Sequence, residues 1–240
     1  MEPKAMAFTR VALQKTTLLD FPGEVAATVF TPGCNLRCPY CHNPELVQPP
    51  YPKDLISLEE LDRFLKKRAK VLGGVCISGG EPLLHTGLSE LIELIRSHGL
   101  KVKLDTNGTF PERLVQIDAD YIAMDLKTSP EKYEELLLPG SKNNGNKKDL
   151  GTQVKKSLSY LKTSGIPYEI RTTVVPGIIG LEEINTMAPL LEGVEKYSLT
   201  PFRGGNTLDP AYSHYPPPSE ALMDELCALA GTTCNNCSLR

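Results

Sequence analysis

The chain has no excess of positive charge. Its 26 lysines and arginines are outnumbered by 29 aspartates and glutamates, for a net charge of −3, so it lacks the basic footprint that nucleic-acid binding draws on, and that class of partner is disfavoured. No apolar run approaches the length that crosses a bilayer, and the opening segment MEPKAMAFTR has neither the apolar stretch nor the cleavage site of a secretory signal. The expectation is a cytoplasmic protein with no membrane partner. No repeat of solenoid length occurs. An even cysteine complement is missing too: seven cysteines in a cytosolic chain of 240 residues read poorly as a disulfide framework and better as metal ligands together with buried thiols.

What is present is an ordinary globular composition, 40 % hydrophobic and 23 % charged, long enough for a single domain over residues 1–240. A short β-branched run, a polar turn and a helix-period segment recur along it. VAATVF (25–30) reads as a strand, and SLEELDRFLKKRAKVL after it reads as a helix opened by a capping box of Ser57 and Glu60. GVCIS, KVKLDTNG, YIAMDLK, YEIRTTVVPG and KYSLTPF read as further strands, for six βα units in all.

Strands that alternate with helices imply a parallel sheet with right-handed crossovers, either an open doubly wound sheet or a barrel. Glu81, Asp105, Asn107, Asp125, Lys127, Arg171 and Arg203 fall at or near the C-terminal ends of different strands, where a βα barrel gathers its chemistry. Six units instead of eight make this an α/β protein with a partial (β/α)6 TIM-type barrel of parallel strands, open at one side. Its core is expected at about 24–203, followed by a C-terminal helix and cysteine-containing tail over 219–240. PGSKNNGNKKD (139–149) reads as a flexible loop.

PGCNLRCPYCHN (32–43) places Cys34, Cys38 and Cys41 within eight positions. Pro32, Gly33 and Pro39 argue against a regular helix there, so the segment is expected to fold back and aim three thiolates at one centre. A structural zinc ion takes four ligands. His42, adjacent to Cys41 in so tight a loop, is poorly placed as the fourth. An iron-sulfur cluster held by three cysteines leaves one iron free to bind something else. A zinc site with a remote ligand is the competing reading. Tyr40 either packs or covers a bound ligand. Gly79 and Gly80 in SGGEP let backbone approach a ligand closely, with Glu81 able to accept from an ammonium. Asp105 with Asn107, and Asp125 with Lys127, share a strand face by their spacing of two. Facing inward, they need partners in each other or in a zwitterionic ligand.

CNLRCPYCHN and ISGGEP resemble the cluster loop and glycine-rich strand end of the radical S-adenosylmethionine enzymes, and the likeness covers nearly the whole chain. It implies a [4Fe-4S] cluster on Cys34, Cys38 and Cys41, and S-adenosylmethionine on the free iron, cleaved by one electron to a 5′-deoxyadenosyl radical. It also implies that Gly79 and Gly80 contact the methionine part, that Asp105, Asp125 and Lys127 lie near its carboxylate, and that Arg171 belongs to the same shell. Arg203 stands where the pyruvate formate-lyase activators have a histidine, so a ribose or adenine contact is the loosest of these assignments.

LQKTTLLDFPG, CHNPEL, LDTNGTFPE, YIAMDLKTSPEKY, RTTVVPG and FRGGNTLDP together resemble the anaerobic ribonucleoside-triphosphate reductase activating proteins. That branch implies a glycyl-radical enzyme as partner and a flavodoxin- or ferredoxin-type electron donor. Radical chemistry on a small molecule or peptide, and a non-enzymatic zinc-binding protein, are the competing functions. Cys76 lies in an apolar strand and reads as core. For Cys227, Cys234 and Cys237 two readings stand, a second metal or redox site and a loose exposed tail.

Overall fold

The computed structural model describes residues 9–136 and 150–240. The loop expected at 139–149 lies outside the described residues. The chain opens with β1 (Arg10–Thr17) and β2 (Ala26–Thr31), then α1 (Pro44–Val47), β3 (Ile56–Ser57), α2 (Leu58–Arg68) and β4 (Gly74–Gly79). Next come α3 (Leu88–Ser97), β5 (Lys101–Thr106), α4 (Pro111–Leu114) and β6 (Tyr121–Asp125). α5 (Leu150–Thr163), β7 (Tyr168–Val174), α6 (Leu181–Leu191), β8 (Tyr197–Pro201), α7 (Glu220–Ala230) and β9 (Cys237–Leu239) complete it.

The nine strands form one sheet in the order β3-β1-β2-β4-β5-β6-β7-β8-β9. From β2 to β8 neighbouring strands are parallel, which accounts for the six expected βα units. The sheet ends in two edges, so the barrel is open as anticipated. Three strands add to that expectation. β1 and β3 extend one edge antiparallel, and β9 in the cysteine-containing tail pairs parallel with β8 at the other.

Local chemistry accounts for the helices. α2 starts at the expected capping box: Ser57 Oγ accepts from the Glu60 N–H at 3.2 Å while Glu60 Oε2 accepts from the Ser57 N–H at 2.8 Å. Lys66, Lys67 and Arg68 then meet the negative end of its dipole. Leu61 and Leu65 of α2, and Leu91 and Ile95 of α3, bury against Val75, Ile77, Val102 and Leu104 of the sheet. At ~2 kcal/mol for each fully buried leucine or isoleucine, this layer is the main favourable contribution to folding.

The opposite face of the sheet is polar. Register sets Cys76, Lys103 and Tyr121 level on β4, β5 and β6, then Asp105, Ala123 and Glu169 level on β5, β6 and β7. Asp125, Arg171 and Ser198 follow one rung higher. Lys103 and Glu169 are fully buried, and ions removed from water need partners. Glu169 finds Lys196 at 3.3 Å and Arg240 at 3.2 Å. The charges thus run up the concave face toward the C-terminal strand ends. Among the described residues no helix is long and apolar enough to cross a membrane.

Candidate active site

The cysteine loop leaves β2 through Gly33, whose φ of +93° turns the chain. Gly33 and Cys34 donate their N–H groups to the Leu46 and Val47 carbonyls of α1 at 2.6 and 3.2 Å, and Cys41 donates to the Cys38 carbonyl at 3.1 Å. A segment after β8 lies across the loop, with Leu208 N–H donating to the Cys41 carbonyl at 3.1 Å and Asp209 N–H to that of Pro39 at 2.8 Å. The loop does fold back on itself, held from both flanks.

Gly79 and Gly80 make a backbone contact with the cysteine loop. Gly80 N–H donates to the Thr31 carbonyl and Glu81 N–H to the Gly33 carbonyl, each at 2.9 Å. A Cβ on Gly79, at φ +112°, would overlap the Thr31 backbone, and one on Gly80 would overlap the Gly33 carbonyl. The glycine pair therefore joins the end of β4 to the cysteine loop, backbone against backbone.

One cavity opens at this junction. Cys34, Cys38, Tyr40 and Cys41 line it from the loop side, Gly79 and Gly80 from β4, Asp105 and Asn107 from β5, and Asp125 and Lys127 from β6. These ten predicted positions are brought together. Glu81, Arg171 and Arg203 are not part of the wall.

Glu81 is fully buried, and both its oxygens are occupied within the protein. Oε1 accepts from the Leu83 N–H at 3.0 Å and the Thr106 hydroxyl at 2.8 Å, and Oε2 accepts from the Asn107 N–H at 2.7 Å. The ligand ammonium foreseen for this carboxylate gives way to three internal donors. Burial pushes its pKa up to about 7 against those hydrogen bonds. Arg171 sits in mid-strand and reaches the cavity through its partners. Its Nε donates to Asp125 Oδ1 at 2.8 Å and its Nη1 to Asp105 Oδ2 at 3.1 Å. Lys127 Nζ reaches Asp125 Oδ2 at 3.3 Å, and the Lys103 ammonium pairs closely with Asp105. The result is a ladder of three cations and two carboxylates. Burial opposes ionisation of Asp125, but Arg171 and Lys127 outweigh it and hold the carboxyl down to about 2. Asp105 is lowered in the same way by Arg171 and Lys103 against its own burial.

The thiols respond differently. Burial, reinforced by the Glu81 charge, pushes Cys34 up to about 12, and burial pushes Cys38 up to about 11 despite Lys127. Among the described residues no three His, Cys, Asp or Glu side chains are arranged around a point that would hold a single metal ion. A [4Fe-4S] cluster binds each cysteine through a different iron, so three cysteines spread along one cavity wall suit it better than they suit mononuclear zinc.

Arg203 is exposed, and its carbonyl lies 2.6 Å from His42 Nε2. His42 also lines the cavity and stacks on the buried Phe202 ring, 5.3 Å between centroids at 13°. Tyr40 meets Phe202 edge-on at 6.4 Å. Sequence reasoning did not single out Lys103 or Phe202. The signal for Lys103 was its spacing of two from Asp105; Phe202 had none beyond its place after β8.

Residues 28–187 match the family model described as the radical SAM superfamily. A protein of Methanocaldococcus jannaschii that carries the provisional name glycyl-radical enzyme activating enzyme is 29% identical over 227 residues, 92% of this chain and 91% of that one. The pyruvate formate-lyase-activating enzyme of Staphylococcus epidermidis is 29% identical over 204 residues, 77% of this chain and 76% of its own. Streptococcus suis SuiB, solved with S-adenosylmethionine bound, superposes with a TM-score of 0.62 at 16% identity over 89% of this chain. That pairing spans 51% of SuiB and speaks for the fold alone. With well over half of its length under the family model, this chain belongs to the radical SAM superfamily.

Proposed function

We propose that this radical SAM enzyme generates a glycyl radical on a partner enzyme, and that the partner is anaerobic ribonucleoside-triphosphate reductase. The observation that carries the first part is the near end-to-end likeness to the Methanocaldococcus jannaschii protein named for that activity, which is not confined to the cysteine loop and the strands beside it. The choice of reductase rests on the sequence motifs.

The cofactors of the superfamily are a [4Fe-4S] cluster and S-adenosylmethionine, which when bound supply a 5′-deoxyadenosyl radical by one-electron cleavage of the sulfonium. The donor set fits both. Cys34, Cys38 and Cys41 would hold three irons of the cluster, and the fourth iron is left for the amino and carboxylate groups of S-adenosylmethionine. Lys127, with Asp125 as its partner, presents a cation to that carboxylate, while Asn107 offers an amide at the same wall. Arg171 keeps Asp105 and Asp125 apart and oriented. Its fork meets two carboxylates at once from two separate nitrogens, a fixed geometry that a lysine does not supply. Tyr40, packed on Phe202 and Tyr212, excludes water from the cysteine side. An electron donor of the flavodoxin or ferredoxin type completes the scheme.

The test is anaerobic. Reconstituted protein is mixed with S-adenosylmethionine, reductant and an anaerobic ribonucleoside-triphosphate reductase, and the glycyl radical is sought by electron paramagnetic resonance. A glycyl signal that disappears with Cys34→Ala is the expected result. Deoxyadenosine release without a radical on the reductase would remove the choice of partner; no deoxyadenosine at all would remove the whole reading.

A further inference from the structure

We propose that Cys227 and Cys237 form a reversible dithiol-disulfide site that fastens α7 to β9 at one open edge of the sheet. The inference is independent of the cluster and of the partner assigned above. Cys227 Sγ and Cys237 Sγ lie 2.8 Å apart and ten residues apart in sequence. A disulfide bond is ~2.05 Å long, so the two sulfurs already stand close to bonding distance.

The backbone on both sides is already fixed. Gly231 N–H donates to the Cys227 carbonyl at 2.9 Å, Cys234 N–H to that of Ala230 at 3.1 Å and Asn235 N–H to that of Val194 at 2.9 Å. Tyr197 N–H then donates to the Asn236 carbonyl at 2.9 Å, and Cys237 pairs in register with Tyr197. Arg240 anchors the far end on Glu169. The tail, for which a loose exposed segment was one of two readings, holds an ordered edge strand, and its cysteine is presented to the helix by that order.

Cys234 is buried beside the pair, while Cys227 and Cys237 are half-buried and within reach of a small oxidant. Burial and the neighbouring thiols raise the pKa of Cys237, and burial raises that of Cys234. A metal is the poorer occupant: among the described residues these three cysteines do not form a group arranged for an ion, and a fourth ligand is missing.

With a low-molecular-weight disulfide RSSR as oxidant, the thiolate of one cysteine attacks it, forming a mixed disulfide and releasing one RSH. The second cysteine then displaces the other RSH. The cysteine pair loses two electrons and two protons, and RSSR gains them. A dithiol reductant reverses the reaction. The site stands at the first residue of β8, whereas Phe202 beside the active-site cavity follows its last. The cross-link can therefore be read without recourse to enzyme activity.

The experiment takes the cluster-loaded protein, kept anaerobic, through a series of oxidised-to-reduced glutathione ratios, followed by differential alkylation, peptide mapping and hydrogen exchange. The expected result is one intramolecular cross-link, Cys227 to Cys237, removed by dithiothreitol, with β9 amides exchanging about tenfold more slowly in the oxidised form. Cys234→Ala keeps the cross-link. The proposal is overturned if Cys227 and Cys237 remain alkylatable at every ratio, if Cys237 pairs with Cys234 instead, or if the tail holds one zinc per chain that Cys237→Ser releases. The map on the unmodified chain decides even where a variant fails to fold.

Discussion

Asp125 closes β6 directly across from Arg171 on β7, and the guanidinium Nε donates to its Oδ1 at 2.8 Å. The same guanidinium reaches past β6 to hold Asp105 on β5, so one side chain fixes two carboxylates that would otherwise repel. Arg171→Ala leaves both short of a cation. Loss of one partner from a fully buried pair costs ~3–5 kcal/mol, and the part-exposed setting here brings the expectation to about 2 kcal/mol in urea unfolding. S-adenosylmethionine affinity, read by calorimetry on cluster-loaded protein, should fall about tenfold or more, because Asp125 then competes for Lys127. Arg171→Lys should be intermediate in stability, since a single ammonium lacks the planar fork whose separate nitrogens meet the two acids.

Gly80→Ala tests the seam between β4 and the cysteine loop. A Cβ there meets the Gly33 carbonyl, so the loop must shift away from the strand. Cluster content should suffer before the fold does: iron and sulfide per chain are expected to drop below half of the unmodified value, with the far-ultraviolet circular dichroism unchanged. Full iron content would show that the contact between these loops does not position the thiols.

The seven cysteines are expected to divide cleanly. Cys34, Cys38 and Cys41 share one cavity, whereas Cys76 is fully buried within β4 beside Lys103 Nζ at 3.8 Å. Cys76→Ala should keep its full iron content and lose about 1 kcal/mol of stability as a small core truncation. Alanine at any of the three loop positions should abolish the brown colour and the release of deoxyadenosine.

Most of the parallel sheet was legible because its strands are buried on both faces and read as compact β-branched runs ended by Gly, Asn or Pro. β1 was not, since RVALQKTT leaves one face to solvent, and its Arg10, Gln14 and Lys15 mask the alternation. β3 has two residues, too few for any pattern. β9 exists through Tyr197, Val194 and Glu169, all distant in sequence, so nothing local announces it. The cavity wall was readable from spacing: Asp105 with Asn107 and Asp125 with Lys127 obey the period of two. Glu81 shows where spacing fails. Its position at a strand end pointed toward a ligand, but Thr106 and Asn107, about 25 residues on, provide its hydrogen bonds.

Glu183 on α6 should make the loop after β6 acid-sensitive. Its Oε1 accepts from the Thr128 hydroxyl at 2.8 Å and the Ser129 N–H at 3.0 Å, and its Oε2 from Lys132 Nζ at 2.7 Å. Burial works against ionisation, yet these donors hold the carboxyl down to about 2. A folded pKa below the unfolded value of ~4.3 means the contribution is complete above about pH 5 and is lost as pH falls from there toward 2. Glu183→Gln should lower stability by about 1–2 kcal/mol at pH 7 and flatten the fall in melting temperature between pH 5 and 3. An unchanged acid limb would mean that other carboxylates dominate it.

Lys103 offers the sharpest separation between fold and ligand. Its side chain is 1% exposed and pairs with Asp105, which also holds Arg171. Lys103→Met keeps the length and removes the charge. Asp105 retains one cation, so the penalty should be smaller than for Arg171→Ala, about 1 kcal/mol, because an apolar replacement of similar volume offsets part of the loss. The Asp105 pKa must rise as one of its two cations leaves, and the wall beside Asn107 becomes more negative. S-adenosylmethionine, whose carboxylate would face that wall, should then bind several-fold more weakly. Tighter binding in the variant would place the carboxylate elsewhere and reassign the ladder to holding the strands.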